Sequence, residues 1–254
     1  MTTPKPIDPG TRTVAHVAPL GVFMGFLLVL DMFRRFFGWE HPAAPWWQHY
    51  PEQWLYPLQS IVCIVLLAKW WRIYEFRWNA RAILLGVVFG AVGIGFWLLP
   101  TTLYDHLGMT GEPEGWKKWL GLAARKDGFD PWIFDSPMAC WTSLVLRFFR
   151  AVVVVALVEE IFWRGFLMRF LLDWDGDYWK QPFGKHSWLS YFVVTGAFML
   201  AHAPIDWAGA FIYGTLTYIL AVWSKSLSAC VVMHAVANFL MGWYAIAFHK
   251  FGLW

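Results

Sequence analysis

The chain has 254 residues, of which 59% are hydrophobic and only 15% charged, against about 25% charged in an average soluble domain. With 20 Trp and 22 Phe it carries more apolar surface than a soluble fold can hide, so an integral membrane protein is expected and a soluble globular domain is excluded. The formal net charge of +3 is spread along the chain and leaves no footprint for nucleic acid.

The first thirteen residues, MTTPKPIDPGTRT, are polar and Pro-rich and are expected to form a tail, 1–13, the one disordered part of the chain. No small-residue cleavage pattern follows, so the first apolar stretch is expected to be retained. A span needs about 20 apolar residues. Val14–Phe37 is the first candidate, Pro57–Trp71 the second and Ala82–Leu99 the third. In the third, Gly86, Gly90 and Gly93 lie near one face and permit close helix packing. Thr101–Pro137 is the longest polar interval, and GWKKWLGLAA within it predicts a short interfacial amphipathic helix. Met138–Leu172 is apolar but carries Arg147, Arg150, Glu159, Glu160, Arg164 and Arg169. As one helix it would be about 52 Å long, more than the bilayer, so it is expected to be tilted, partly interfacial or broken. A loop, DWDGDYWKQPFGKHS, precedes the spans Trp188–His202, Trp207–Trp223 and Leu227–Phe248.

The expected fold is all-α: a polytopic membrane helical bundle of seven helices, or eight if the long segment breaks. Residues 14–254 are expected to form a single integral membrane domain. Lys69–Arg81 holds four basic residues and one acidic residue in a short connection, which places it on the cytoplasmic side and the N-terminus inside. Arg34 and Arg35 at the far end of the first span oppose that orientation. Cys63, Cys140 and Cys230 lie in separate apolar segments and are expected to be buried thiols.

The polar residues inside the spans gather in three places. Glu159, Glu160 and Arg164 lie in the long segment, His202 ends FMLAH, and His234 and Asn238 bound HAVAN. Glu160 and Arg164 are four apart in the favourable order and can neutralise one another. A lone His or Asn in a span is commonly a packing residue. Together they are harder to dismiss. Glu159 has Val155 and Trp163 four residues away, so it has no partner on its own face. His234 and Asn238 share one helix face, as do Phe198 and His202. A carboxylate in a poorly solvated site is a better base near neutral pH. A His beside it can orient a water, and a His and an Asn can donate to an oxyanion. Base, water and oxyanion donors suffice to hydrolyse an acyl bond without a Ser or Cys nucleophile.

Glu159-Glu160-x-x-x-Arg164, Phe198-x-x-x-His202 and His234-x-x-x-Asn238 resemble, in order and spacing, the three motifs of the CAAX prenyl protease 2 family, also called CAAX proteases and bacteriocin-processing enzymes. The resemblance covers about residues 140–250. It implies a multispan intramembrane glutamate-dependent endopeptidase acting on a protein or peptide substrate among membrane lipids, with no cofactor and no metal. By motif position Glu159 resembles the water-activating base and His202 its partner. His234 and Asn238 resemble the oxyanion-stabilising pair, and Glu160 and Arg164 the supporting pair; Phe198 is assigned to substrate binding. The C-terminal part looks closest to a bacterial branch linked to exosortase sorting systems, which implies the bacterial inner membrane. Three rivals compete: a zinc peptidase using Glu159, His202 and His234, a proton-coupled transporter, and a non-catalytic scaffold or immunity factor.

Overall fold

The computed structural model describes residues 7–39, 41 and 44–254, and among them all regular secondary structure is helical. Helix α1 spans Pro9–Phe37, so Pro9–Thr13, expected in the tail, are already helical; residues 1–6 lie outside the described residues. The start has a local cause. The Asp8 carboxylate accepts from the Thr11 N–H at 3.0 Å, and Pro9 occupies the first helical position, where a missing N–H costs nothing.

Helix α2 spans Glu52–Trp70, α3 Ala80–His106, α4 Pro137–Phe170, α5 Trp188–Leu200, α6 Trp207–Ser224 and α7 Leu227–Ala247. Asn79, Ser187 and Ser226 cap α3, α5 and α7 with their side-chain oxygens. Six of these helices are long and apolar enough to cross a membrane, and α5 is a shorter apolar helix. This matches the seven-helix expectation.

The eight-helix alternative does not hold, because α4 runs unbroken for 34 residues. It keeps its continuity by widening into π turns at Arg150–Val155 and Ile161–Leu167, on either side of the α-helical Ala156–Glu160. Such wide turns recur at functional sites. The expected amphipathic helix shrinks to one turn, Trp116–Trp119, because Gly115 and Gly121 with positive φ stop it at both ends.

In α2 and α3 only 28% of the most apolar window is buried, so most apolar side chains point outward. Leu28, Leu84, Val145 and Phe192 are each more than 60% exposed, a surface that suits lipid. Two apolar cores lie inside. One joins Ile94, Phe198, Tyr213 and Met233; the other joins Phe23, Leu67, Val158 and Ile161. Helix α4 contributes to both.

The glycine expectation is met at the α3–α7 contact. A Cβ on Gly90 would lie 2.7 Å from the Met233 carbonyl oxygen. Gly90→Val is therefore expected to cost about 1–3 kcal/mol by overpacking. Gly95→Val, where nothing lies within 4 Å, is expected to be near neutral. Thermal melting of the detergent-solubilised variants checks the contrast.

The polar interval after α3 is tied to the C-terminus. Lys250 pairs with Asp105 at 2.7 Å, the Gly252 N–H donates to the Arg125 carbonyl at 2.9 Å, and Trp254 Nε1 donates to the Phe129 carbonyl at 3.1 Å. Arg125 also pairs with Asp206, just before α6. Cys63, Cys140 and Cys230 are buried free thiols, as expected.

Candidate active site

A cavity of about 300 Å³ opens between α4, the end of α5, and α7. Glu159, His202, His234, Asn238 and Phe198 all line it. Residues far apart in sequence are thus brought to one space. Glu160 and Arg164 do not line it and are both fully buried behind it.

The two glutamates differ as their spacing predicts. Glu160 Oε1 accepts from Arg164 Nη1 at 3.1 Å. The same oxygen accepts from His234 Nδ1 at 2.8 Å, a bond across helices that spacing along one helix does not reveal. Arg164 also lies over the Phe198 ring, 5.2 Å from its centroid. Glu159 is half-buried and makes no hydrogen bond or ion pair with the described residues, so its carboxylate is available to the cavity.

His202 sits just past the end of α5, which stops at Leu200, rather than on the helix itself. The (i, i+4) relation survives: His202 Nδ1 donates to the Phe198 carbonyl at 2.8 Å. Its own carbonyl accepts from Trp207 Nε1 at 3.1 Å, and its ring meets Trp97 edge-on at 5.3 Å. Phe198 is only 1% exposed and belongs to the apolar core as well as to the cavity lining.

On α7, Asn238 Nδ2 donates to the Ala151 carbonyl at 2.7 Å, in the first wide turn of α4. One amide N–H remains. In His234 and His202 alike, Nδ1 is committed as a donor to a carboxylate or a carbonyl, which leaves Nε2 for the cavity. The cavity therefore holds a free carboxylate, two imidazole Nε2 atoms and one amide N–H.

Among the lining residues not assigned a role from sequence are four with ionisable side chains: Arg147, Arg150, Asp206 and Tyr213. The two arginines stood out as charges in an apolar segment. Nothing in local spacing showed which way they point. No group of three His, Cys, Asp or Glu side chains among the described residues is placed to hold a metal ion, so the donor set of the zinc rival is not assembled there.

A helical bundle with six helices long and apolar enough to cross a membrane, an apolar exterior and a cavity lined by several ionisable side chains defines a polytopic membrane protein with a candidate site among its helices. Residues 141–240 match the family model described as type II CAAX prenyl endopeptidase Rce1-like, and this segment contains every cavity residue named from the three motifs. The match makes this part of the chain similar to CAAX-type protease domains and does not extend to the exosortase-linked branch. No curated protein and no solved structure matches the chain.

Proposed function

We propose that the protein is an intramembrane glutamate-dependent endopeptidase of the bacterial inner membrane. The observation that carries this is the division of labour between adjacent glutamates: Glu160 is held by Arg164 and His234, while Glu159 faces the cavity without a partner. Glu159 takes a proton from a water that His202 Nε2 helps to orient. The resulting hydroxide adds to the scissile carbonyl carbon, and the negative charge moves to the carbonyl oxygen. The remaining Asn238 N–H and His234 donate to that oxygen. Because Nδ1–H of His234 is engaged with Glu160, donation from Nε2 requires the imidazolium form, whose charge the Glu160 carboxylate balances. Collapse of the intermediate breaks the C–N bond, Glu159 returns the proton to the leaving amine, and the products are a carboxylate and an amine.

Asn238→Ala should lower turnover by about 10²–10³-fold, as for other oxyanion donors. The lost bond to Ala151 should cost only about 0.6 kcal/mol of stability. Parallel turnover and melting measurements check this split. The functional assignment is tested by comparing the C-termini of membrane proteins in cells carrying the wild type or Glu159→Ala. Longer forms of particular proteins in the variant are expected; identical sets of termini would overturn the proposal.

A further inference from the structure

Arg147 and Arg150 line the same cavity as Glu159, 12 and 9 residues before it on α4. Both are buried, at 8% and 7% exposure, within a span. Two cations at such depth demand counter-charge. Arg150 has some in Glu159, the carboxylate of the cavity, and its Nε donates to the neutral Gln59 Oε1 at 2.6 Å. The other acidic residue lining the cavity, Asp206, is already paired with Arg125. Glu52, toward the outer end of Arg147, is already paired with Arg34 at 2.8 Å.

Arg147 is left with three rings, the hydroxyl of one of them, Tyr56, and the shared charge of Glu52. Its guanidinium lies 4.8 Å from the Phe129 centroid, 5.0 Å from Tyr56 and 5.6 Å from Trp254, and its Nε and Nη1 are buried with no hydrogen-bond partner among the described residues. The aromatic box by itself is a structural explanation, since it joins α2, the polar interval and the C-terminus. Three rings at about 0.5–2 kcal/mol each offset much of the several kcal/mol that burying an ion costs, but they supply no anion. They also leave three N–H donors, one on Nε and two on Nη1, unmet among the described residues. The cavity is thus one anion short, at its Arg147 end.

We propose that Arg147, seconded by Arg150, forms a subsite of the cavity that binds a carboxylate of the peptide substrate. This rests on the endopeptidase reading. A peptide supplies such a group as a free C-terminus or as an Asp or Glu side chain. Twelve residues of helix separate Arg147 from Glu159, roughly 18 Å of axial rise, which an extended peptide covers in about five residues. The carboxylate therefore lies a few residues from the bond that is cut.

The test is equilibrium binding, which does not depend on turnover. The detergent-solubilised Glu159→Gln protein is titrated with a short apolar peptide as its C-terminal acid, as its C-terminal amide, and as the amide carrying one Glu at successive positions. The acid, or one of the Glu peptides, should bind about tenfold more tightly than the plain amide. Which of the two does so identifies the source of the carboxylate. Adding Arg147→Met, which keeps much of the side-chain volume, should abolish the preference, and Arg147→Lys should keep part of it. Melting temperatures show whether each variant is folded, and if Arg147→Met is not, Arg147→Lys and Arg150→Met are read instead. Equal binding of all peptides, no binding of any, or a preference that survives removal of the arginine would overturn the subsite. Binding with the expected preference, but no cleavage by the wild type, would instead overturn the endopeptidase reading and leave the subsite standing.

Discussion

Glu159→Gln should lower turnover by about 10²–10⁴-fold while leaving the fold intact. Gln has nearly the same shape and keeps an oxygen toward the cavity, but it cannot accept and return a proton. Glu159 makes no hydrogen bond or ion pair with the described residues, so no native bond is lost in the exchange. Removing a half-buried charge from a membrane segment relieves a desolvation cost and withdraws counter-charge from Arg150 in the same cavity, two effects of opposite sign. The melting temperature should accordingly change little. Single-turnover cleavage of a peptide substrate, with melting measured on the same preparation, checks both halves. Near-normal turnover would remove Glu159 from the role of base. A collapse in melting temperature would mean that its carboxylate has a structural partner.

Arg164→Ala is expected to act in the opposite way, through stability first. Arg164 and Glu160 are fully buried and bonded at 3.1 Å, with His234 on the same Glu160 oxygen at 2.8 Å. Breaking a buried pair from one side typically costs about 3–5 kcal/mol, because the remaining charge loses its compensation. Yield and melting temperature should fall sharply, and activity with them. The double variant Glu160→Gln/Arg164→Met removes both charges and keeps much of the volume. It should regain most of the stability. Activity should not return with it, because His234 would lose the carboxylate that holds its Nδ1–H and balances its imidazolium form. If Arg164→Ala melted like the wild type, the pair would not be structural. If the double variant recovered activity, His234 would not depend on Glu160.

This pair shows how much of the site is local. Glu160 and Arg164 are one helical turn apart, so their bond follows from sequence and helix geometry alone. The isolation of Glu159 follows from the same count, because Val155 and Trp163 stand where a partner would be. The (i, i+4) contact between Phe198 and His202 was also legible, although α5 ends two residues before His202. The helices themselves were readable for the same kind of reason. A backbone in lipid must satisfy its own hydrogen bonds, and long apolar runs do so only as helices.

What the sequence by itself determined is therefore whatever the repeat of a single helix decides: the seven helices, the close-packing glycines of α3, and which glutamate is paired and which is left free. Only the tertiary structure decided the contacts between helices. It set His234 against Glu160 across 74 residues, tied Asn238 to Ala151 across 87, and folded the polar interval back onto the C-terminus. It also turned Arg147 into a box built from Tyr56, Phe129 and Trp254. The continuity of α4 belongs to this second group, since Arg150–Val155 and Ile161–Leu167 widen into π turns without a Pro or a charge pattern that would announce it. Long-range contacts depend on how the side chains of different helices fill shared space, and no periodicity along one helix encodes which neighbour it will meet.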